Sequence, residues 1–366
     1  MIYRCIYVLS VVLIVEFIAV SAFGQNASDI RLKDYRPVST FNIPKSHVVK
    51  AKYPVIDVHS HDYPDTDQGV DEWVKTMDAA GIERTIILSY KTGAGFDSVV
   101  ARYARYKDRF ELWCGFDYTG YQTAGWQQHA VAELERCWKA GARGVGELGD
   151  KGLGEFYSAP TPGWGMHVDD PRMKPLFEKC AQLKMPVNIH VAEDTWNYLP
   201  GDSINDGLMN ADDWKVDMTK SGILNHNQLI KTLDNVVKDN PNTTFIACHL
   251  ANTNSDLNTL GRMFDAYPNL YADVSARYSE FAAIPRFVHD FIEKYSNRIL
   301  YGTDMGVRGE MYQITFRILE TNDEHFYYHN YFSHHWPLHG LNLSDRTLRK
   351  VYNGNARRIM ATYRKD

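Results

Sequence analysis

The chain has 366 residues, 44% hydrophobic, 13% aromatic and 23% charged, enough apolar material for a large core, which excludes a disordered, collagen-like or coiled-coil protein. Forty basic against 45 acidic residues leave a net charge of −5 without any Lys/Arg run. Nothing in that balance supports binding to nucleic acid.

The first element in chain order is a leader. Arg4 precedes an apolar run from Cys5 to Phe23, interrupted by Ser10, Glu16 and Ser21, and Ala22-Phe23-Gly24 puts small residues at the −3 and −1 positions of a cleavage site. A basic start, an apolar middle and a small-x-small end predict a secretory signal peptide over residues 1–24. Glu16 in mid-run argues against a retained membrane anchor. An exported protein, periplasmic or extracellular and without stable membrane association, is expected. Export would bring Cys114, Cys137, Cys180 and Cys248 to an oxidising place. Their wide spacing favours four buried small hydrophobes over two disulfides. Residues 25–50 are polar and without a period, which predicts an N-terminal arm on a body spanning 51–366.

From Lys52 onward short apolar runs alternate with longer amphipathic ones. The apolar runs fall at 53–58, 84–90, 110–116, 142–148, 185–191, 243–250, 269–275 and 298–304. Segments of helical spacing separate them, such as VDEWVKTMDAAG ending on Gly81 and WQQHAVAELERCWKAG after Gly125. Near-continuous apolar strands divided by helices predict a parallel sheet buried on both faces, and eight such units close a TIM barrel. The expected fold is therefore α/β, a single-domain (β/α)8 barrel with C-terminal helices over 344–366. Connections 149–170 and 193–224 are too long for turns. They carry Trp164, Trp196, Tyr198 and Trp214, which predicts ordered walls around a pocket and makes Trp196 a candidate substrate contact.

In such a barrel the active site lies at the C-terminal ends of the strands. The first run ends Asp57-Val58-His59-Ser60-His61. In an extended chain His59 and His61 point to the same side, where two imidazoles can hold a metal ion. Asp57, one step deeper on that side, is expected to buttress them. The fourth, fifth, sixth and eighth runs end in Glu147, His190, His249 and Asp304. Buried groups of this kind are rare unless paired or bound to metal. Arg277 and Arg308 follow the seventh and eighth runs and are placed to contact a substrate carboxylate or a neighbouring acid. The group His325, His329, His334, His335 and His339 fits no simple ligand frame and reads as a polar, aromatic loop by the barrel mouth.

IDVHSH, PVNIH, the strand-ending CH, YGTD and the late VYNGNARRIM together resemble the metal-dependent hydrolases of the amidohydrolase superfamily, closest to its amidohydrolase-related branch, which includes aminocarboxymuconate-semialdehyde decarboxylases. The likeness covers roughly residues 53–363. It implies a barrel with a divalent metal, usually zinc, as one ion or two. By resemblance His59, His61 and His190 are metal ligands, Asp304 a ligand or the catalytic base beside it, and His249 a catalytic acid/base. Glu147 would bridge two ions or, with one ion, hold substrate or a water. The implied reaction is hydrolysis of a small ester, lactone or amide by metal-activated water. A metal-dependent decarboxylase or lyase acting on a small carboxylic acid uses the same residues, and a non-catalytic ligand-binding barrel is the remaining alternative. Relatives commonly pair, which leaves a homodimer open.

Overall fold

Eight parallel strands alternate with helices in the computed structural model, which describes residues 26–363. The strands are β1 (Val55–Ser60), β2 (Ile82–Leu88), β3 (Phe110–Trp113), β4 (Val145–Asp150), β5 (Val187–Val191), β6 (Phe245–Ala247), β7 (Leu270–Asp273) and β8 (Ile299–Leu300). Each overlaps one of the expected apolar runs, and they pair in chain order as β1–β2–β3 and β4–β5–β6–β7–β8. The two sheets meet through a parallel bridge between Cys114 and Val145. On the other side the Val58 N–H donates to the Tyr301 carbonyl, and the Asp304 N–H to that of His59. The fold is a TIM barrel. All eight chain directions therefore deliver their C-terminal ends to one face, which is where the site is built.

The helices follow from the apolar spacing. Asp67–Ala80 starts at Thr66, whose side chain accepts from the Gly69 N–H, and buries Val70, Trp73, Val74, Met77 and Ala80 along one stripe. It stops at Gly81, whose φ of 81° suits a residue without Cβ. A separate core cluster joins Ile56, Val58, Ile86, Leu88, Trp113, Ile246 and Leu300 to Ala356, Ile359 and Met360 near the C-terminus. Gly144 lets the Trp113 ring approach the backbone there, since a Cβ would lie 2.3 Å from it. The C-terminal helices Asp345–Arg349 and Asn355–Met360 follow one another through a π turn at Lys350–Gly354. Cys114, Cys137, Cys180 and Cys248 are buried free thiols.

The expected leader, residues 1–24, lies outside the described residues. The chain divides into two units between Tyr35 and Arg36, inside the segment read as an arm. The first contains two short 3₁₀ turns at Ala27–Asp29 and Leu32–Asp34. Residues from Arg36 onward belong with the barrel: Ser46 donates to Asp323 through both its N–H and its hydroxyl, each at 2.8 Å. No helix among the described residues is long and apolar enough to cross a membrane.

Both long connections are ordered. In the first, Asp150 accepts from the N–H groups of Gly152 and Gly154 at 3.0 Å and contacts His167 Nδ1 at 2.8 Å. The second contains a 3₁₀ turn at Thr195–Tyr198 and a short helix at Leu208–Trp214.

Candidate metal centre

Strand ends bring His59, His61, Glu147, His190, His249 and Asp304 together around one buried carboxylate. Glu147 Oε1 lies 2.5 Å from His190 Nδ1, 3.7 Å from His249 Nε2 and 4.0 Å from His59 Nε2. Its other oxygen lies 3.5 Å from His61 Nε2. Asp304 Oδ1 is 3.1 Å from His61 Nε2 and 3.7 Å from His59 Nε2. Three of the ligand groupings within reach of a common ion come from this set: His59 with His61 and Glu147, His59 with His249 and Asp304, and Glu147 with His190 and His249.

The backs of three of the rings are fixed by the fold. His61 donates from Nδ1 to the Leu88 carbonyl at 2.9 Å, and His249 from Nδ1 to the Ser275 carbonyl at 2.9 Å. His59 donates from Nδ1 to Asp273 at 3.1 Å. Each bond leaves the Nε2 lone pair aimed at the cluster, the arrangement that orients histidine ligands in metalloproteins. The Asp273 contact was not anticipated, although the acid inside the seventh apolar run was its visible signal. Asp57, the expected buttress, does not reach the rings. It accepts from the Thr303 N–H at 3.1 Å and the Thr303 hydroxyl at 2.7 Å, pinning β1 to the residues after β8.

Backbone geometry helps to aim His249 and Asp304. His249, Leu250, Ala251 and Asn252 form a left-handed turn with φ between 52° and 59°, a conformation costing roughly 1–2 kcal/mol per non-glycine residue. Asn252 holds it, donating to the carbonyls of Val191 and Ala192 and accepting from Arg277. Asp304 also has positive φ, at 62°. Tyr63 donates to its carbonyl.

The charges favour a cation. Burial opposes a proton on His59, yet Asp273, Asp304 and Glu147 push its pKa up to about 10. His190 is likewise raised to about 9 against burial by Glu147 and Glu193. Burial would neutralise Glu147, but His190, His249 and His59 hold its carboxyl well below the usual range. Asp304 is lowered against burial by His61 and His59. Only His249 is shifted downward among the four rings, by burial and by Arg277. A site that keeps its acids ionised and draws positive charge onto its rings suits a divalent ion. The Nε2 atom of His59 is buried and lacks a hydrogen-bond partner, as expected of a ligand atom, whereas His190 turns Nδ1 to Glu147 and Nε2 toward Glu193 at 3.5 Å.

A cavity of about 170 Å³ opens onto the cluster, walled by Lys151, Tyr157, Glu193, Asn210, Trp214, Arg277 and Phe332. Arg277 stands in the wall as expected, but it is buried against acids, 3.0 Å from Asp194 and 3.4 Å from Glu193. Trp196 does not line the cavity. Its indole donates to Asn210 at 3.0 Å, and Trp214 provides the aromatic wall instead. Arg308 is exposed, over the Tyr331 ring. The loop carrying His325 to His339 yields no ligand grouping among the described residues, and its Phe332 reaches the cavity. Lys151 and Glu193 are wall residues the sequence pattern did not single out, because their long loops carry no periodicity.

The amidohydrolase family model, Amidohydro_2, matches residues 56–360. An uncharacterized TIM-barrel protein of Bordetella bronchiseptica is similar over 85% of this chain and 99% of its own, with 17% identity and a TM-score of 0.53. The 5-carboxyvanillate decarboxylase of Novosphingobium aromaticivorans, solved with manganese and 4-hydroxy-3-methoxy-5-nitrobenzoic acid, is similar over 87% of this chain and 100% of its own, with 13% identity and a TM-score of 0.52. At these identities the likeness is one of fold. No curated protein matches the chain.

Proposed function

The chain belongs to the amidohydrolase family, and we propose that it hydrolyses a small uncharged ester, lactone or amide with the help of a divalent ion. The observation that carries this reading is the convergence of four imidazoles and Asp304 on Glu147. His59, His61 and His190, with Glu147 and Asp304, would hold the ion, and zinc suits such an imidazole and carboxylate set. Once bound, the ion would polarise a carbonyl and make water more acidic.

The chain's own residues supply the remaining steps. Asp304, ionised and beside His61, is placed to accept the proton of the attacking water. His249 is held toward the neutral form, its Nδ1–H fixed on Ser275, which leaves the Nε2 lone pair to take up the proton that Asp304 received from water and pass it to the leaving group. A second ion would claim His249 as a ligand and remove it from that role.

Decarboxylation would need an anchor for the substrate's carboxylate. Lys151 and Arg277 are the cations among the cavity's lining residues, and both are paired with Glu193. This pairing favours an uncharged substrate. The test is to assay purified, zinc- or manganese-loaded protein on aryl esters and lactones while measuring carbon dioxide released from aryl acids. Ester or lactone turnover without carbon dioxide is expected. Carbon dioxide release without ester or lactone cleavage refutes the reading.

A further inference from the structure

We propose that Glu193 is an internal carboxylate occupying the place where a substrate's carboxylate would bind, so that the cavity excludes anionic substrates. The inference rests on the same cavity receiving the substrate, as in the reading above, but not on the bond that is broken there. Glu193 follows β5, is 5% exposed and lines the cavity. Its backbone N–H donates to the Tyr198 hydroxyl at 3.0 Å, which fixes the loop. One of its oxygens contacts Lys151 Nζ, and the other lies 3.4 Å from Arg277 Nη2. One oxygen on each cation is how a lysine and an arginine hold a bound carboxylate.

The two cations differ in what else they touch. Arg277 also pairs with Asp194 at 3.0 Å and donates to Asn252 at 2.5 Å. Lys151 has Glu193 as its ion-pair partner among the described residues. Its ammonium lies 5.2 Å from the centre of the Trp214 ring and 5.9 Å from that of Tyr157. Removing the charge of Glu193 would therefore release Lys151 and leave Arg277 largely occupied. The cavity, about 170 Å³, is close in size to one that holds a benzene ring, at roughly 150 Å³. An aromatic acid with its ring among Tyr157, Trp214 and Phe332 would then place its carboxylate on Lys151.

The experiment measures benzoate affinity by calorimetry on metal-loaded protein, with benzamide as the uncharged control. Glu193→Gln is expected to bind benzoate at least about ten-fold more tightly than the wild type. Benzamide binding should not change, and adding Lys151→Met should abolish the gain. A gain below about two-fold, or one that survives Lys151→Met, overturns the proposal. Lys151→Met alone offers a check that does not depend on the folding of the glutamine variant. It should leave benzoate affinity as it was, and a ten-fold weakening would show that Lys151 already anchors anions. A benzoate gain in a protein that cleaves no ester or lactone refutes the hydrolase reading alone. Ester turnover without the gain refutes the role of Glu193 alone.

Discussion

A His59→Ala/His61→Ala double variant is expected to lose its divalent ion and at least roughly a thousand-fold in kcat/KM, while keeping the wild-type far-UV circular dichroism. The two rings supply Nε2 atoms to the cluster, and that of His59 has no protein hydrogen bond to lose. The group most exposed to the change is Asp273, which loses the His59 ring but keeps donors from Asn188, Ser275 and the His249 backbone. The barrel's apolar clusters contain neither histidine, so folding should survive. Metal content, ester turnover and circular dichroism on one preparation check this. A folded double variant that retained its metal would remove the ligand assignment.

Asp273→Ala should have the larger effect on stability. Asp273 is fully buried and accepts from His59 Nδ1 at 3.1 Å, Asn188 Nδ2 at 3.2 Å, the His249 N–H at 3.0 Å and the Ser275 N–H at 3.1 Å. Deleting the carboxylate leaves several buried donors unpaired, a loss of about 3–5 kcal/mol. It also frees the His59 ring to turn, which should weaken metal affinity roughly 10–100-fold. Asp273→Asn retains the size and one acceptor oxygen, so it should recover part of the stability and less of the metal affinity. The pH dependence has a definite sign. Against burial, His59 and His249 hold the Asp273 carboxyl well below its ordinary range. Its stabilisation is therefore present above the unfolded pKa of about 4 and is lost as pH falls further. Urea titrations at several pH values, read on metal-free protein, should show this acid-side loss in the wild type and a smaller one in Asp273→Ala. Equal stability of the two proteins at neutral pH would contradict the role given to Asp273.

The barrel was legible because strands buried on both faces leave near-continuous apolar runs, while the helices between them keep a 3.6-residue period. The residues of the cluster were legible for a related reason: His59, His190, His249 and Asp304 are polar groups ending such runs. Asp273 carried the same mark in NLYADVS, yet its partner is a ring from β1, and such pairing across the barrel leaves no trace in local spacing. Asp57 shares a strand face with His59, but the fold turns it toward Thr303. The cavity wall was least legible. Trp196 and Trp214 are equivalent by composition, and only the packing of the Leu208–Trp214 helix decides which one meets the cavity. Arg277 was placed correctly beside the site, whereas its commitment to Glu193 and Asp194 depends on residues more than 80 positions away.

The most direct test of the cation centre is elemental analysis of the purified protein after dialysis. At least one zinc, manganese or similar divalent ion per chain is expected, lost in His59→Ala/His61→Ala. A folded wild-type protein that holds no divalent metal, even after incubation with excess zinc or manganese, would contradict it.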